Sequence, residues 1–130
     1  MFPCSNKLAL SRHPPNVSVI YKHPIPTCPG KSIISFLITF PPNGSTPPHS
    51  HRGAFVSANI VSGHIINAMN KQPMQLLGPG DTFVEYPGCK HRVCDNASEA
   101  EEASISAVFV VDTEVLERYG EMGLVDVNAE

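Results

Sequence analysis

Short runs of β-branched and aromatic residues, bounded by glycine, proline or asparagine, recur along the 130-residue chain. Valine, isoleucine, phenylalanine and threonine suit a pleated, half-buried sheet, while glycine and proline set the backbone angles of the turns between strands. The pattern predicts eight strands, at 17–21, 32–40, 54–61, 64–69, 73–77, 82–86, 90–95 and 104–112. Many short strands at regular spacing are typical of an all-β sandwich or barrel.

The two ends of the chain follow different patterns. The first thirty-one residues are rich in proline and are predicted to form an extended arm over the body of the protein. The segment 112–122 has the character of a short helix. We therefore expect one structural domain made of an N-terminal arm (1–31), a β-barrel (32–112) and a C-terminal helix with a tail (113–130).

Composition and charge exclude several classes of partner. The formal net charge is −3 and no basic stripe is present, so nucleic acid is not an expected partner. No apolar run approaches the ~20 residues that a membrane-spanning helix needs. The first residues lack the apolar stretch of a secretory signal, so we expect a cytoplasmic protein whose four cysteines are free thiols.

Two histidines stand two residues apart in a proline-rich loop, at His49 and His51. Side chains at i and i+2 of an extended segment share one face, so both imidazoles could bind one first-row metal. Such a pair is also compatible with a pH-sensitive surface feature or with chance, and a metal site needs a third ligand. His91, which follows the turn at Pro87 and Gly88 and begins another β run, is the candidate. The remaining histidines are interpreted as surface residues: His13, His23 and His64.

These two stretches resemble the paired motifs of the cupin superfamily, which are small β-barrels of the jelly-roll type. The first motif, glycine, H-x-H, glutamate and glycine, is matched by Gly44, His49, His51 and Gly63. The second motif, glycine, P-x-G, histidine and asparagine, is matched by Gly80, Tyr86-Pro87-Gly88, His91 and Asp95-Asn96, with tyrosine in place of the motif's proline. The resemblance covers about residues 32–112 and is also close to small microbial single-domain cupins of mostly unassigned function.

The resemblance implies a cupin-type double-stranded β-helix in which His49, His51 and His91 converge as metal ligands. The expected cofactor is one divalent transition metal per chain, with Fe(II) ahead of Zn, Mn or Ni. The alternative is a metal-free cupin whose histidines remain in a polar pocket.

The glutamate of the first motif is missing, since counting back seven residues from Gly63 leads to Val56. Alternation places Val56, Ala58 and Ile60 inward. His49 and His51 are odd-numbered, whereas the inward residues of the following strand are even-numbered. This change of facing predicts an irregularity around Arg52-Gly53, and Gly53 fits a β-bulge.

Glu85 is the candidate to replace the missing carboxylate. An acidic residue within the apolar run "TFVEY" is costly if it is buried without a partner. We therefore consider it as a fourth ligand or general base. In the alternative, Glu85 points outward and pairs with Lys90 or Arg92.

A three-histidine site with open positions suits O₂-dependent dioxygenase chemistry with Fe(II), which we place narrowly ahead of Lewis-acid isomerase, decarboxylase, dehydratase or cyclase chemistry. A non-catalytic binding module is the second alternative. The expected substrate is a small, partly hydrophobic molecule, because one inward acid and no inward arginine can be inferred. Exposed sheet edges predict a homodimer. The predicted substrate-binding residues are Phe36, Ile38, Val56, Ala58, Ile60, Phe83 and Phe109.

Overall fold

The computed structural model describes residues 13–127. The described part contains eight strands, in the predicted order and close to the predicted positions. They are β1 (Asn16–Pro24), β2 (Lys31–Phe40), β3 (Phe55–Ser62), β4 (Ile65–Met69), β5 (Gln75–Leu77), β6 (Thr82–Glu85), β7 (His91–Asn96) and β8 (Ala103–Asp112).

The strands form two antiparallel sheets with the crossed strand order of a jelly roll. The larger sheet has the order β1-β2-β8-β3-β6, and the smaller sheet has the order β5-β4-β7. One cluster of buried apolar side chains takes members from both sheets, so the core lies between them. The expected all-β jelly-roll class is confirmed.

Alternation along the central strands builds this core. On β8, Ile105 and Phe109 are 1% and 4% exposed, and every second residue of the strand is buried in the same way. On β3, Val56, Ala58 and Ile60 are buried, as the alternation predicts. Burying a side chain of this size stabilises the fold by about 1.5–3 kcal/mol, so the period-two pattern fixes which face of each strand turns inward.

The described part of the predicted N-terminal arm includes a strand. β1 pairs antiparallel with β2, from Asn16 opposite Thr39 to Pro24 opposite Ser32, and forms an edge of the larger sheet. Most of its residues are exposed on both faces. Residues 1–12 of the predicted arm lie outside the described residues.

The turn before β3 differs from the expected β-bulge. Arg52 and Gly53 have φ angles of 51° and 80°, and the Ala54 N–H donates to the His51 carbonyl at 3.0 Å. Positive φ at both central positions is the geometry of a type I′ turn. The bulge prediction was wrong because a tight turn achieves the same change of facing between His51 and the inward residues of β3.

Gly63, at the end of β3, is required by both its conformation and its neighbours. Its φ is 73°, and an added Cβ would lie 2.7 Å from the Ala103 Cβ and from the Glu102 carbonyl oxygen. A side chain here would therefore disturb the contact between β3 and the start of β8.

The C-terminal helix is shorter than predicted. Helix α1 (Thr113–Tyr119) ends at Gly120, whose φ of 76° is easily reached only by glycine. A 3-10 helix (Met122–Leu124) follows and buries Leu124 completely. Among residues 13–127, no helix combines the length and the apolar character needed to cross a bilayer.

Candidate metal centre

A short backbone bridge brings the two histidine segments together. The His49 N–H donates to the His91 carbonyl at 3.2 Å, and the His91 N–H donates to the His49 carbonyl at 2.7 Å. Residues paired in this way present their side chains on the same face of the ladder. The two imidazole rings consequently lie side by side, with their centroids 5.2 Å apart.

His51 completes a cluster of three. Its ring is 4.7 Å from that of His49, centroid to centroid, in an edge-to-face arrangement. One nitrogen from each of the three rings lies within 4.8 Å of the others, and all three side chains are buried. The three predicted ligands therefore form a group that could hold a metal ion.

Hydrogen bonds outside the cluster orient two of the rings. His49 Nδ1 lies 2.8 Å from the Pro47 carbonyl, and His51 Nδ1 lies 3.1 Å from the Leu124 carbonyl. A carbonyl oxygen can only accept, so each Nδ1 carries the proton and donates. With Nδ1 protonated, each ring can present its Nε2 to the site, and Nε2 without a proton is the form that binds a metal.

The third ring is oriented from the smaller sheet. His91 Nε2 donates to the side-chain oxygen of Asn67 on β4 at 2.6 Å, and Asn67 is itself buried. The Nδ1 of His91 is left to face the site. Because β4 and β7 are adjacent strands, this contact depends on their register.

Glu85 reaches the site from the position opposite Val56. These two residues are paired across β3 and β6, so their side chains share the inward face. Glu85 is 3% exposed, with Oε1 3.3 Å from His51 Nε2 and Oε2 3.3 Å from His91 Nδ1. The alternative in which Glu85 points outward is therefore wrong.

The charge of the site follows from these contacts. Burial alone would raise the pKa of the Glu85 carboxyl, but the adjacent His51 and His91 rings outweigh it and lower the pKa to about 2. Burial, reinforced by the neighbouring His51 ring, lowers the pKa of His49 to about 4. At neutral pH the site therefore presents a carboxylate and a neutral His49 imidazole.

The donor set fits a divalent transition metal. Imidazole nitrogen and carboxylate oxygen are ordinary ligands of Fe(II), Mn(II), Zn(II) and Ni(II). Glu85 Oε1 is buried and makes no hydrogen bond within the described part of the protein. Such an atom costs free energy unless it meets a cation or a donor, and a bound metal would supply the cation.

The cluster lies against a cavity of about 260 Å³ with mainly apolar walls. Six of the seven predicted substrate-binding residues line it: Phe36, Ile38, Val56, Ala58, Phe83 and Phe109. Ile60 does not line the cavity and is packed in the core, 1% exposed. It lies four residues beyond Val56 along β3, toward the end of the strand away from the histidines.

Part of the cavity wall was missed by the sequence interpretation. Met122, Leu124 and Val125 line the cavity from the chain after α1, and Val17 lines it from β1. The apolar residues in "MGLV" were a usable signal, since a solvent-exposed tail has no need of them.

The other histidines and the cysteines lie in simpler surroundings. His13, His23 and His64 are exposed, as interpreted from the sequence. Cys28, Cys89 and Cys94 are free thiols, as expected, whereas Cys4 lies outside the described residues. Cys94 lines the cavity, and its burial raises the pKa of the thiol, which keeps it protonated and unreactive.

The chain is similar in sequence or in fold to several known proteins. Germin-like protein 4-1 of Oryza sativa subsp. japonica is 36% identical over 75 residues, which cover 50% of this chain and 30% of that protein. This chain thus spans about a third of its relative. Among solved structures, an oxalate oxidase superposes with a TM-score of 0.54 at 24% identity, covering 68% of this chain and 49% of the other. The cupin domain of Schizosaccharomyces pombe Cnp3 superposes with a TM-score of 0.63 at 17% identity, covering 80% and 66%.

The structural similarities show the fold. The match to a sequence model shows the family. A model described as the cupin domain matches residues 36–111, which contain the three clustered histidines and Glu85. Because this match extends over more than half of the chain, the protein belongs to the cupin family.

Proposed function

We propose that this protein is a metal-dependent enzyme that acts on a small, partly apolar organic molecule. One divalent transition metal per chain would be held by His49, His51 and His91, with Glu85 as the fourth ligand. The observation that carries the proposal is the convergence of three ring nitrogens and a buried carboxylate at the wall of an apolar cavity.

Glu85 is better placed as a ligand than as a free base. Each of its two oxygens lies 3.3 Å from a ring nitrogen that faces the site, so carboxylate and imidazoles point at a common space. Fe(II) is the proposed metal. When bound, Fe(II) would supply redox chemistry between O₂ and a chelating substrate, whereas Zn, Mn or Ni would polarise a substrate carbonyl.

The charge of the donor set limits the substrate. Three neutral imidazoles and one carboxylate total −1, so a divalent ion would leave a buried charge of +1. A substrate that binds as a monoanion, such as a phenol, an enol or a β-diketone that has lost one proton, would neutralise it. A buried unpaired charge is expensive, which favours such a substrate over a neutral hydrocarbon or a polyanion.

The cavity limits its size. An apolar cavity of about 150 Å³ admits benzene. The cavity here, about 260 Å³, therefore suits a ring with a short substituent or a chain of similar bulk. Its apolar walls, including Phe36 and Phe109, would exclude water from the reacting atoms and favour compounds with few polar groups.

Oxidative chemistry is our first choice among the reaction types. Isomerisation or elimination needs side chains that give and take protons, and the donor set offers only Glu85, whose oxygens already face the ligand nitrogens. Non-oxidative chemistry stays the second candidate because Glu85 would be free to move a proton if it did not bind the metal. An oxalate oxidase shares this fold, and this likeness supports oxidation as the first choice.

Oxygen uptake by the Fe(II)-loaded protein tests the proposal. The purified protein should contain up to one metal per chain by elemental analysis and should consume O₂ with members of a phenol and β-diketone panel. Ala107→Leu, which would narrow the cavity, should reduce uptake while metal content stays unchanged. Turnover without O₂ would favour the second candidate, and a protein that takes up no metal after reconstitution would refute the proposal.

We also propose that the protein forms a homodimer. Val19, Ile20 and Tyr21 on the edge strand β1 are 43%, 57% and 39% exposed. An exposed apolar edge strand is a template for pairing with a second copy. A monomeric mass by light scattering at micromolar concentration would contradict this.

A further inference from the structure

We propose that the segment Glu121–Asp126, here called the C-terminal segment, is a working part of the metal centre, and that Arg52 is the positioning residue that holds it against His51. The inference rests on the proposed metal site. The C-terminal segment and Arg52 are not among the histidines of the cupin motifs. The proposal gives them a role in orienting a metal ligand and in shaping the cavity.

The first step is the contact between the segment and the ligand. The Leu124 carbonyl accepts a hydrogen bond from His51 Nδ1 at 3.1 Å, and the Leu124 side chain is fully buried. This acceptor holds a proton on His51 Nδ1 and sets the direction of the ring. It thereby turns Nε2 toward Glu85 and the site.

The second step is how the backbone holds the segment in place. Ser50 and Asp126 pair as a short antiparallel bridge, with N–H to carbonyl distances of 3.0 and 2.8 Å in the two directions. Ser50 directly precedes His51. The segment is therefore attached to the histidine loop by main-chain bonds on one side of the ligand.

Arg52 attaches the segment on the other side of His51. Its Nε donates to the Gly123 carbonyl at 2.7 Å, and its Nη1 lies 3.5 Å from Asp126 Oδ2. Its guanidinium also covers the Tyr119 ring at 4.0 Å from the centroid. One side chain thus contacts the end of α1 and both halves of the segment, which the fork geometry of arginine permits and a lysine does not.

The third step connects the segment to the cavity. Met122, Leu124 and Val125 form part of the cavity wall. At the start of the segment, Glu121 pairs with Lys22 of β1 at 2.6 Å, although both side chains are too exposed for this pair to add much stability. The segment therefore both borders the cavity and contacts a proposed metal ligand, so a shift of the segment would change both.

The test compares Arg52→Met with Arg118→Met. Arg118 also lies over the Tyr119 ring, but at 5.6 Å from the centroid, and so is a matched control for loss of a nearby guanidinium. Methionine keeps a Cβ at position 52, so the strain of its positive φ stays the same in the variant. Thermal unfolding of each metal-free protein establishes that it is folded.

The first readout is nitrogen NMR of the His51 ring in the metal-free protein, with all proteins at the same pH. In wild type and Arg118→Met, His51 Nδ1 should be fully protonated and hydrogen-bonded. In Arg52→Met, Nδ1 should be only partly protonated. The second readout is the Kd for Zn(II) by chelator competition, which should rise about tenfold or more in Arg52→Met and less than twofold in Arg118→Met.

Arg52→Lys keeps the positive charge near Asp126 but loses the forked contact with Gly123, so its affinity should lie between those of wild type and Arg52→Met. If Arg52→Met does not fold, the lysine variant carries the test. A fully protonated His51 Nδ1 and an unchanged Kd in the folded variant would overturn the inference. A wild-type protein that binds no Zn(II) or Fe(II) would overturn the proposed function instead, and the NMR measurement would still decide whether the segment positions His51.

Discussion

Replacing Glu85 with glutamine removes one negative charge from the candidate metal centre and leaves its shape nearly unchanged. Glutamine is close in volume to glutamate and keeps one oxygen, so the core should still pack. The carboxylate is 3% exposed and lies 3.3 Å from two of the ligand nitrogens, where solvent cannot replace it. Glu85→Gln should therefore weaken metal binding far more than it weakens folding.

The size of the expected loss of metal affinity follows from the distances between the charges. Two unit charges ~4 Å apart interact by about 4 kcal/mol at an effective dielectric constant of about 20, and a divalent ion doubles this attraction. The desolvation penalty of the buried carboxylate offsets part of this attraction. We expect a net loss of at least about 2.7 kcal/mol, which is a rise of about 100-fold in the Kd for the metal.

Chelator competition with Zn(II), which avoids oxidation during the titration, measures this Kd. Glu117→Gln is the control, because Glu117 is an exposed glutamate on α1. It should leave the Kd within twofold of wild type. A Glu85→Gln protein that is folded and binds Zn(II) as tightly as wild type would show that Glu85 is not a ligand.

The double variant Val56→Glu with Glu85→Val tests the reason for the effect. The two positions are paired across β3 and β6 and share the inward face, so exchanging the side chains returns a carboxylate to the same space from the other strand. The double variant should recover most of the affinity that Glu85→Val alone loses. Failure to recover, in a protein that unfolds at the wild-type temperature, would refute the cross-strand explanation.

Three further outcomes follow from the structure. Asn67→Leu removes the acceptor of His91 Nε2 and should raise the metal Kd about 10- to 100-fold in a competition assay, and an unchanged value would show that this contact does not orient the ring. Gly63→Ala should lower the free energy of unfolding, measured in urea, by about 3 kcal/mol, because the added Cβ would lie 2.7 Å from the Ala103 Cβ. Gly88 has a similar φ but no atom near the added Cβ, so Gly88→Ala should lower it by only about 1–2 kcal/mol. A metal at 100 times its Kd should stabilise the protein by about 2.7 kcal/mol and raise Tm by about 10 °C, and a chelator should reverse the shift.

Much of the fold could be predicted because its signals are local. Strand alternation and turn residues depend on neighbours a few positions away, and the inward set of β3 was predicted correctly from them. The helix was predicted too long because Gly120 ends it through a left-handed backbone that the pattern "YGEMGL" does not distinguish from a continuing helix. The irregularity at Gly53 was located correctly. Distinguishing a turn from a bulge required the φ angles of Arg52 and Gly53.

The position of Glu85 could only be settled in three dimensions. The motif spacing shows that position 56 lacks a carboxylate, and it says nothing of which residue lies opposite. That partner is set by the register of β3 with β6, which depends on packing across the whole sheet.

The sequence by itself determined the all-β class, the three histidines and the absence of a carboxylate at Val56. Strand periodicity and motif spacing depend only on the order of residues along the chain. Only the tertiary structure decided that Glu85 brings a carboxylate to the site from the strand paired with Val56, and that the Leu124 carbonyl accepts a hydrogen bond from His51. Both contacts join residues far apart in sequence, His51 and Leu124 being separated by 73 positions. Sheet register and segment docking bring such residues within hydrogen-bond distance, and neither leaves a periodic signal in the chain.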